Sequence, residues 1–183
     1  MKLKDYWKIN VQNPQFLNEE LRRTFIRLIA RYTGLEIRER DKAALSEKII
    51  LRMKTLKLKS PEDYYQLLNS SNPESYQEWQ NFVTTLTNIE SYFFRDQEQF
   101  LLLRNYIIPE LIQRKQTSKT IRICSAGCSS GEEPYSLAIL LKELLPDLEQ
   151  WNVMILGVDI NQDVLKKAKQ GIYRPWSFRR VDA

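Results

Sequence analysis

The segment Ser125-Ala126-Gly127-Cys128-Ser129-Ser130-Gly131-Glu132-Glu133-Pro134-Tyr135-Ser136 concentrates the residue types that could hold a small molecule. Gly127 and Gly131 permit tight turns and let a ligand approach main-chain N–H groups. No Gly-Lys-Ser/Thr follows, so a nucleoside triphosphate would find no lysine partner, and the spacing is not that of a dinucleotide fingerprint. Glu132 and Glu133 would repel a pyrophosphate. Further on, Asp159 follows an apolar run, where a carboxylate is placed to accept hydrogen bonds from a ribose diol. Taken alone, the loop reads equally well as a plain connection; the carboxylates add a preference for a cation.

A nucleoside with positive charge and no phosphate satisfies these conditions. S-adenosylmethionine has a sulfonium, an ammonium, a carboxylate and a ribose, and main-chain donors with acidic side chains suit it. The chain has no histidine, which excludes Ser-His-Asp catalysis, HExxH zinc hydrolysis and most zinc-finger patterns. Cys124 and Cys128 are the only cysteines, too few for a metal site, so no metal ligand is assigned. Cys124 is expected to be a buried strand residue and Cys128 a turn residue.

The elements that must position the loop are legible from periodicity. Asn13-Pro14 reads as a helix start, followed by Phe16, Leu17, Leu21, Phe25, Leu28, Ile29 and Tyr32, with Gly34 as the stop. A second helix is expected from Asp41 to Leu56, with Ala44, Leu45, Ile49, Met53 and Leu56 inward. Ser60-Pro61 and Asn72-Pro73 open two more helices. A helix from Asp96 to Arg114 and a loop to Thr120 follow. Ile121–Cys124 reads as a strand, Glu133–Leu145 as a helix and Val153–Val158 as a buried parallel strand. Asn161 then caps a helix ending at Gly171. The grammar is a helical bundle followed by β-α-β-α, the opening of a doubly wound sheet.

Against this background, residues 125–138 resemble the cofactor motif of CheR-type chemotaxis receptor methyltransferases. Glu90-Ser91-Tyr92-Phe93-Phe94-Arg95-Asp96 is similar to that family's segment between its two domains, and Gly157–Asn161 and Ala168–Tyr173 fit in order and spacing. The resemblance implies a helical domain, 1–88, and the first half of a Rossmann-like S-adenosylmethionine domain, 89–183. It implies methyl transfer to glutamate side chains of a chemoreceptor or related signalling protein. Arg95 would stand at the active site, and Ser91, Arg95, Ala126, Gly127, Glu133 and Asp159 would line the cofactor. Ile89 departs from the pattern, which often has Asn or Gly there, so a side-chain contact is lost or replaced by backbone. Lys48 and Lys54 would dock the acidic receptor surface from the second helix, with Leu51 between them and Arg52 at the flank; a solvated helix face is an equal reading.

A glutamate carboxylate is ionised near neutral pH and needs no general base, so Arg95 would serve by holding the acceptor. Its bland reading is an interdomain ion pair, and Tyr92, Phe93 and Phe94 read as core. The net charge of +5 suits an ordinary surface or an acidic partner. A nucleic-acid methyltransferase ranks last, because no basic stripe alternates with aromatics. A non-catalytic receptor-docking module is the main alternative. With no signal peptide or membrane-spanning run, a cytoplasmic location is expected. Two strands alone are expected to leave an incomplete cofactor site, an open sheet face and a tendency to self-associate.

Overall fold

The computed structural model describes residues 17–181, so the expected start at Asn13-Pro14, and Phe16, lie outside the described residues. The chain divides after Thr87 into two compact units.

The first unit is helical: α1 Glu19–Thr33, α2 Lys42–Thr55, α3 Pro61–Asn69 and α4 Pro73–Leu86. Side chains that favour non-helical backbone set the starts. Asn18 accepts from Glu20 N, Ser60 from Asp63 N and Asn72 from Ser75 N, each satisfying a donor the helix cannot. Gly34 ends α1 in the left-handed conformation. The core gathers Phe25, Ile29, Leu45, Ile49, Tyr64, Leu68, Trp79 and Phe82. The inner face of α2 departs from expectation: Ser46 and Ile50 are buried, whereas Ala44 and Leu56 are exposed. Neighbouring aromatics on α3 and α4 select the arc of α2 that turns inward.

Inside this core sits one charge pair. Glu78, 3% exposed, accepts from Arg52 Nε at 2.9 Å and Nη2 at 2.6 Å, and from Tyr64 Oη at 2.7 Å. Two forked donors and a hydroxyl satisfy the carboxylate that burial would otherwise penalise. Burial, then the bond to Glu78, pushes the Tyr64 phenol far above its ordinary range.

The second unit opens with α5 Gln97–Leu102, a π-turn Leu103–Ile107 and α6 Ile108–Arg114. The single helix expected over 96–114 is thus widened in its middle. Pro109 supplies the reason, having no N–H and a ring that would strike the carbonyl of Asn105. Strand β1, Thr120–Ala126, pairs in parallel with β2, Asn152–Val158, from Thr120 opposite Asn152 to Ala126 opposite Val158. Helix α7, Glu132–Leu144, makes the crossover, and α8, Gln162–Gln170, follows β2. Leu140, Leu141, Ile108, Ile121 and Trp151 pack with Ile123, Val153 and Ile155 on one sheet face.

The other face is open among the described residues. Arg122, Cys124 and Ala126 stand beside Met154, Leu156 and Val158, all exposed, with Leu156 at 52%. β2 therefore alternates instead of being buried on both sides, and Cys124 is exposed, contrary to both expectations. Its sequence is that of a strand covered twice; among the described residues one cover is present. No helix among the described residues is long and apolar enough to cross a membrane.

Two outcomes follow from this packing. Glu78→Ala should destabilise the helical unit by about 3 kcal/mol, because it strands Arg52 and Tyr64; urea unfolding followed by tryptophan fluorescence measures it. Maleimide should label Cys124 well before Cys128, which is buried and whose thiol is pushed up by burial and by Asp159. Mass spectrometry of the time course reads the order, and equal rates would show that the loop opens readily.

Candidate functional site at the ends of the two strands

The loop after β1 is built on the end of β2. Gly127 adopts φ +76° with open space where a side chain would begin, so the backbone angle alone calls for glycine. Gly127 N and Cys128 N both donate to Val158 O, at 2.8 and 3.0 Å. Ser129 N donates to Asp159 Oδ2 and Asn161 N to Oδ1, each at 2.8 Å. Gly131 N closes on Cys128 O at 2.9 Å. These four loop donors are thus used internally, and the expected cradle of main-chain N–H groups is not formed by them. Gly131 is required for packing as well as angle: at φ +96°, a Cβ would lie 2.7 Å from Tyr173 Oη and 2.9 Å from Ala168 Cβ.

The two neighbouring glutamates separate. Glu133 is exposed and accepts from Ser125 Oγ at 2.6 Å. Glu132 is 3% exposed and accepts from Ser130 Oγ at 2.7 Å and Ser177 Oγ at 3.1 Å. Glu133 and the half-buried Asp159 are thus the carboxylates left accessible near the strand ends, and the expectation that Glu132 is available beside Glu133 is corrected by its burial. Asp159 is oriented by two N–H donors yet keeps acceptor capacity on both oxygens. Among the described residues neither Glu133 nor Asp159 joins an ion pair, so a cationic ligand would meet carboxylates not already neutralised. Ala126 and Gly127 are exposed beside them.

The segment before α5 is tied to this loop. Ser129 Oγ donates to Ile89 O at 3.0 Å. Ser91 is half-buried. Arg95 is exposed and donates to Glu90 O at 2.7 Å, 5.8 Å from the Tyr92 ring. It stands between two non-glycine residues in the left-handed region, Phe94 at φ 53° and Asp96 at φ 60°. Each costs roughly 1–2 kcal/mol and persists only where the surroundings fix it. Phe93 N donates to Ser177 O at 2.8 Å, and Phe94 N to Ser136 Oγ at 3.0 Å. Phe93 is buried and stacks on Phe178; Phe94 packs edge-on against Phe100.

Sequence reasoning missed Arg179. Its guanidinium lies 3.9 Å above Tyr92 and 4.7 Å from Trp176, while Nη2 donates to Glu90 Oε1 at 3.1 Å. The only signal was the mixed aromatic and basic run from Tyr173 to Arg180. In the helical unit, Lys54 is exposed and Lys48 half-buried on α2, with Leu51 between them 60% exposed. Arg52 is withdrawn to Glu78 and does not flank that stripe, which corrects its expected position.

Carboxylates at the strand ends, glycine-opened space and no cationic side chain paired with them fit a positively charged, phosphate-free nucleoside. Comparison with known proteins gives the same group. Residues 89–183 match the CheR methyltransferase SAM binding domain, and residues 21–87 match the CheR methyltransferase all-alpha domain. A chemotaxis protein methyltransferase of Borreliella burgdorferi is 32% identical over 88% of this chain and 57% of its own length. One of Escherichia coli is 32% identical over 83% of this chain and 50% of its own. Chemotaxis protein methyltransferase 2 of Pseudomonas aeruginosa is 35% identical over 78% and 48%. The chain spans about half the length of the curated relatives it matches. S-adenosylmethionine is the cofactor of the matched domain, and the chain belongs to the CheR methyltransferase family.

Proposed function

We propose that this chain serves S-adenosylmethionine-dependent methyl transfer to glutamate side-chain carboxylates of a chemoreceptor or related signalling protein in the cytoplasm. The observation that carries the reading is Asp159, held by two main-chain N–H groups at the end of β2, with Glu133, which accepts from Ser125 Oγ and joins no ion pair among the described residues, following the glycine turn in sequence. When bound, the cofactor supplies a methyl group on a sulfonium, which needs no metal.

The residues of the chain bind and align. Asp159 accepts from a ribose diol, and Glu133 offers negative charge to a cationic ligand. Ala126, Gly127 and Ser91 complete the wall. Arg95 holds the acceptor carboxylate by charge-assisted hydrogen bonds and stands at the edge of the cofactor site. The acceptor is already ionised at neutral pH, so rate enhancement comes from orientation rather than proton transfer. Lys48 and Lys54 meet an acidic receptor surface around Leu51, whose exposure supports a contact of mixed apolar and charged character. The open sheet face supports self-association, which sedimentation at increasing concentration would read.

Calorimetric titration of S-adenosylhomocysteine tests the pocket. Asp159→Asn should weaken binding about tenfold, the scale of one hydrogen bond to a charged group; unchanged affinity would overturn the assignment. Arg95→Ala should abolish base-labile methyl incorporation into an acidic receptor fragment by a chain extended to its relatives' length. Lys54→Glu should weaken receptor binding several-fold, and more at low salt than at high. Intact signalling with Arg95→Ala, lost with Lys54→Glu, would favour a docking module over an enzyme.

A further inference from the structure

We infer that Glu132 is a positioning residue: buried behind the binding loop, it fixes the turn that presents Arg95. This rests on the reading of Arg95 as the acceptor-binding group. Two segments distant in sequence grip the turn, and both are bonded to Glu132. On one side Ser136 Oγ donates to Glu132 O at 2.7 Å and accepts from Phe94 N at 3.0 Å. On the other, Ser177 Oγ donates to a Glu132 carboxylate oxygen at 3.1 Å, while Ser177 O accepts from Phe93 N at 2.8 Å. The second carboxylate oxygen accepts from Ser130 Oγ at 2.7 Å, in the loop that ends at Gly131.

The geometry explains why an acidic side chain is buried here. A backbone with Phe94 and Asp96 both at positive φ relaxes unless its neighbours hold it. Glu132 is 3% exposed, and its bonds run to hydroxyls rather than to a cation. Its carboxylate accepts from both hydroxyls at once, so the loop and the Ser177 segment are set relative to each other and to Arg95. Phe93 stacked on Phe178 and Arg179 laid over Tyr92 continue the same clamp. Glu132 does not touch Arg95 itself; its side chain acts through Ser177 and Ser130, while Ser136 bonds the main-chain carbonyl that any residue there would supply.

The test is a double-mutant cycle with two readouts on this chain. S-adenosylhomocysteine affinity is measured by calorimetry, and the Arg95 Nε–Hε resonance is followed by NMR without ligand. Ser177→Ala leaves the backbone bond to Phe93 in place and removes only the hydroxyl link. It should move and broaden the Arg95 resonance and weaken binding about fivefold, the scale of one lost hydrogen bond. In an Arg95→Ala background the same change should cost nothing. Glu132→Ala should exceed Ser177→Ala in both readouts, and Glu132→Gln, which still accepts one hydroxyl bond, should recover part of the loss. Equal losses in both backgrounds, or an unmoved Arg95 resonance, overturn the inference. If Arg95→Ala alone leaves affinity unchanged, its contact with the cofactor fails separately, and the resonance still decides the positioning role. Should Glu132→Ala not fold, Ser177→Ala carries the test.

Discussion

The carbonyl of Val158 and the carboxylate of Asp159 organise the candidate site, because the backbone of the loop after β1 is hydrogen-bonded to them. Three successive loop N–H groups, from Gly127 to Ser129, reach these two residues. This requires β1 and β2 to be parallel and in a register that ends Ala126 opposite Val158. A slip by one residue would carry Asp159 away from Ser129 and turn the inward side chains of the strand outward. The crossover helix α7 is long enough to return the chain for that pairing, and its apolar side covers the inner sheet face.

Adjacent glutamates at the start of α7 show how one turn of helix divides labour. Successive positions point about 100° apart. One carboxylate consequently faces the protein and bonds serine hydroxyls, and the next faces solvent at the strand ends. Electrostatic reasoning from composition alone counts both toward a ligand. In three dimensions Glu132 is buried while Glu133 and Asp159 stay accessible, and two accessible carboxylates still suit a cation better than a phosphate. The helical unit uses a buried charge differently, with Glu78 meeting a true counter-ion in Arg52. That pair removes a guanidinium from the surface that was expected to present it.

Local signals were legible where local physics decides. Ser60-Pro61, Asn72-Pro73 and Asn161 mark helix starts because their side chains satisfy donors two or three residues on. Gly34 and Gly171 mark ends because left-handed backbone favours glycine. Pro109 carried a local signal that the helical periodicity around it concealed. The left-handed turn around Arg95 left none, since Phe94 and Asp96 are not residues that announce positive φ. The exposure of Cys124 and Leu156 was also hidden, because a continuous apolar run reads as covered on both faces, whereas one cover is present among the described residues.

By itself, then, the sequence determined the order of the elements, the caps that bound them, the glycine turn between a strand and a helix, and the family motifs within it. Those depend on residues a few positions apart, whose side chains and backbone interact however the rest of the chain is arranged. Tertiary structure decided which glutamate is buried and which exposed, which loop donors are already used, and how Arg95 is held. Those depend on Ser136, Val158, Asp159 and Ser177, which lie tens of residues from the groups they bond, so only packing brings their partners within reach.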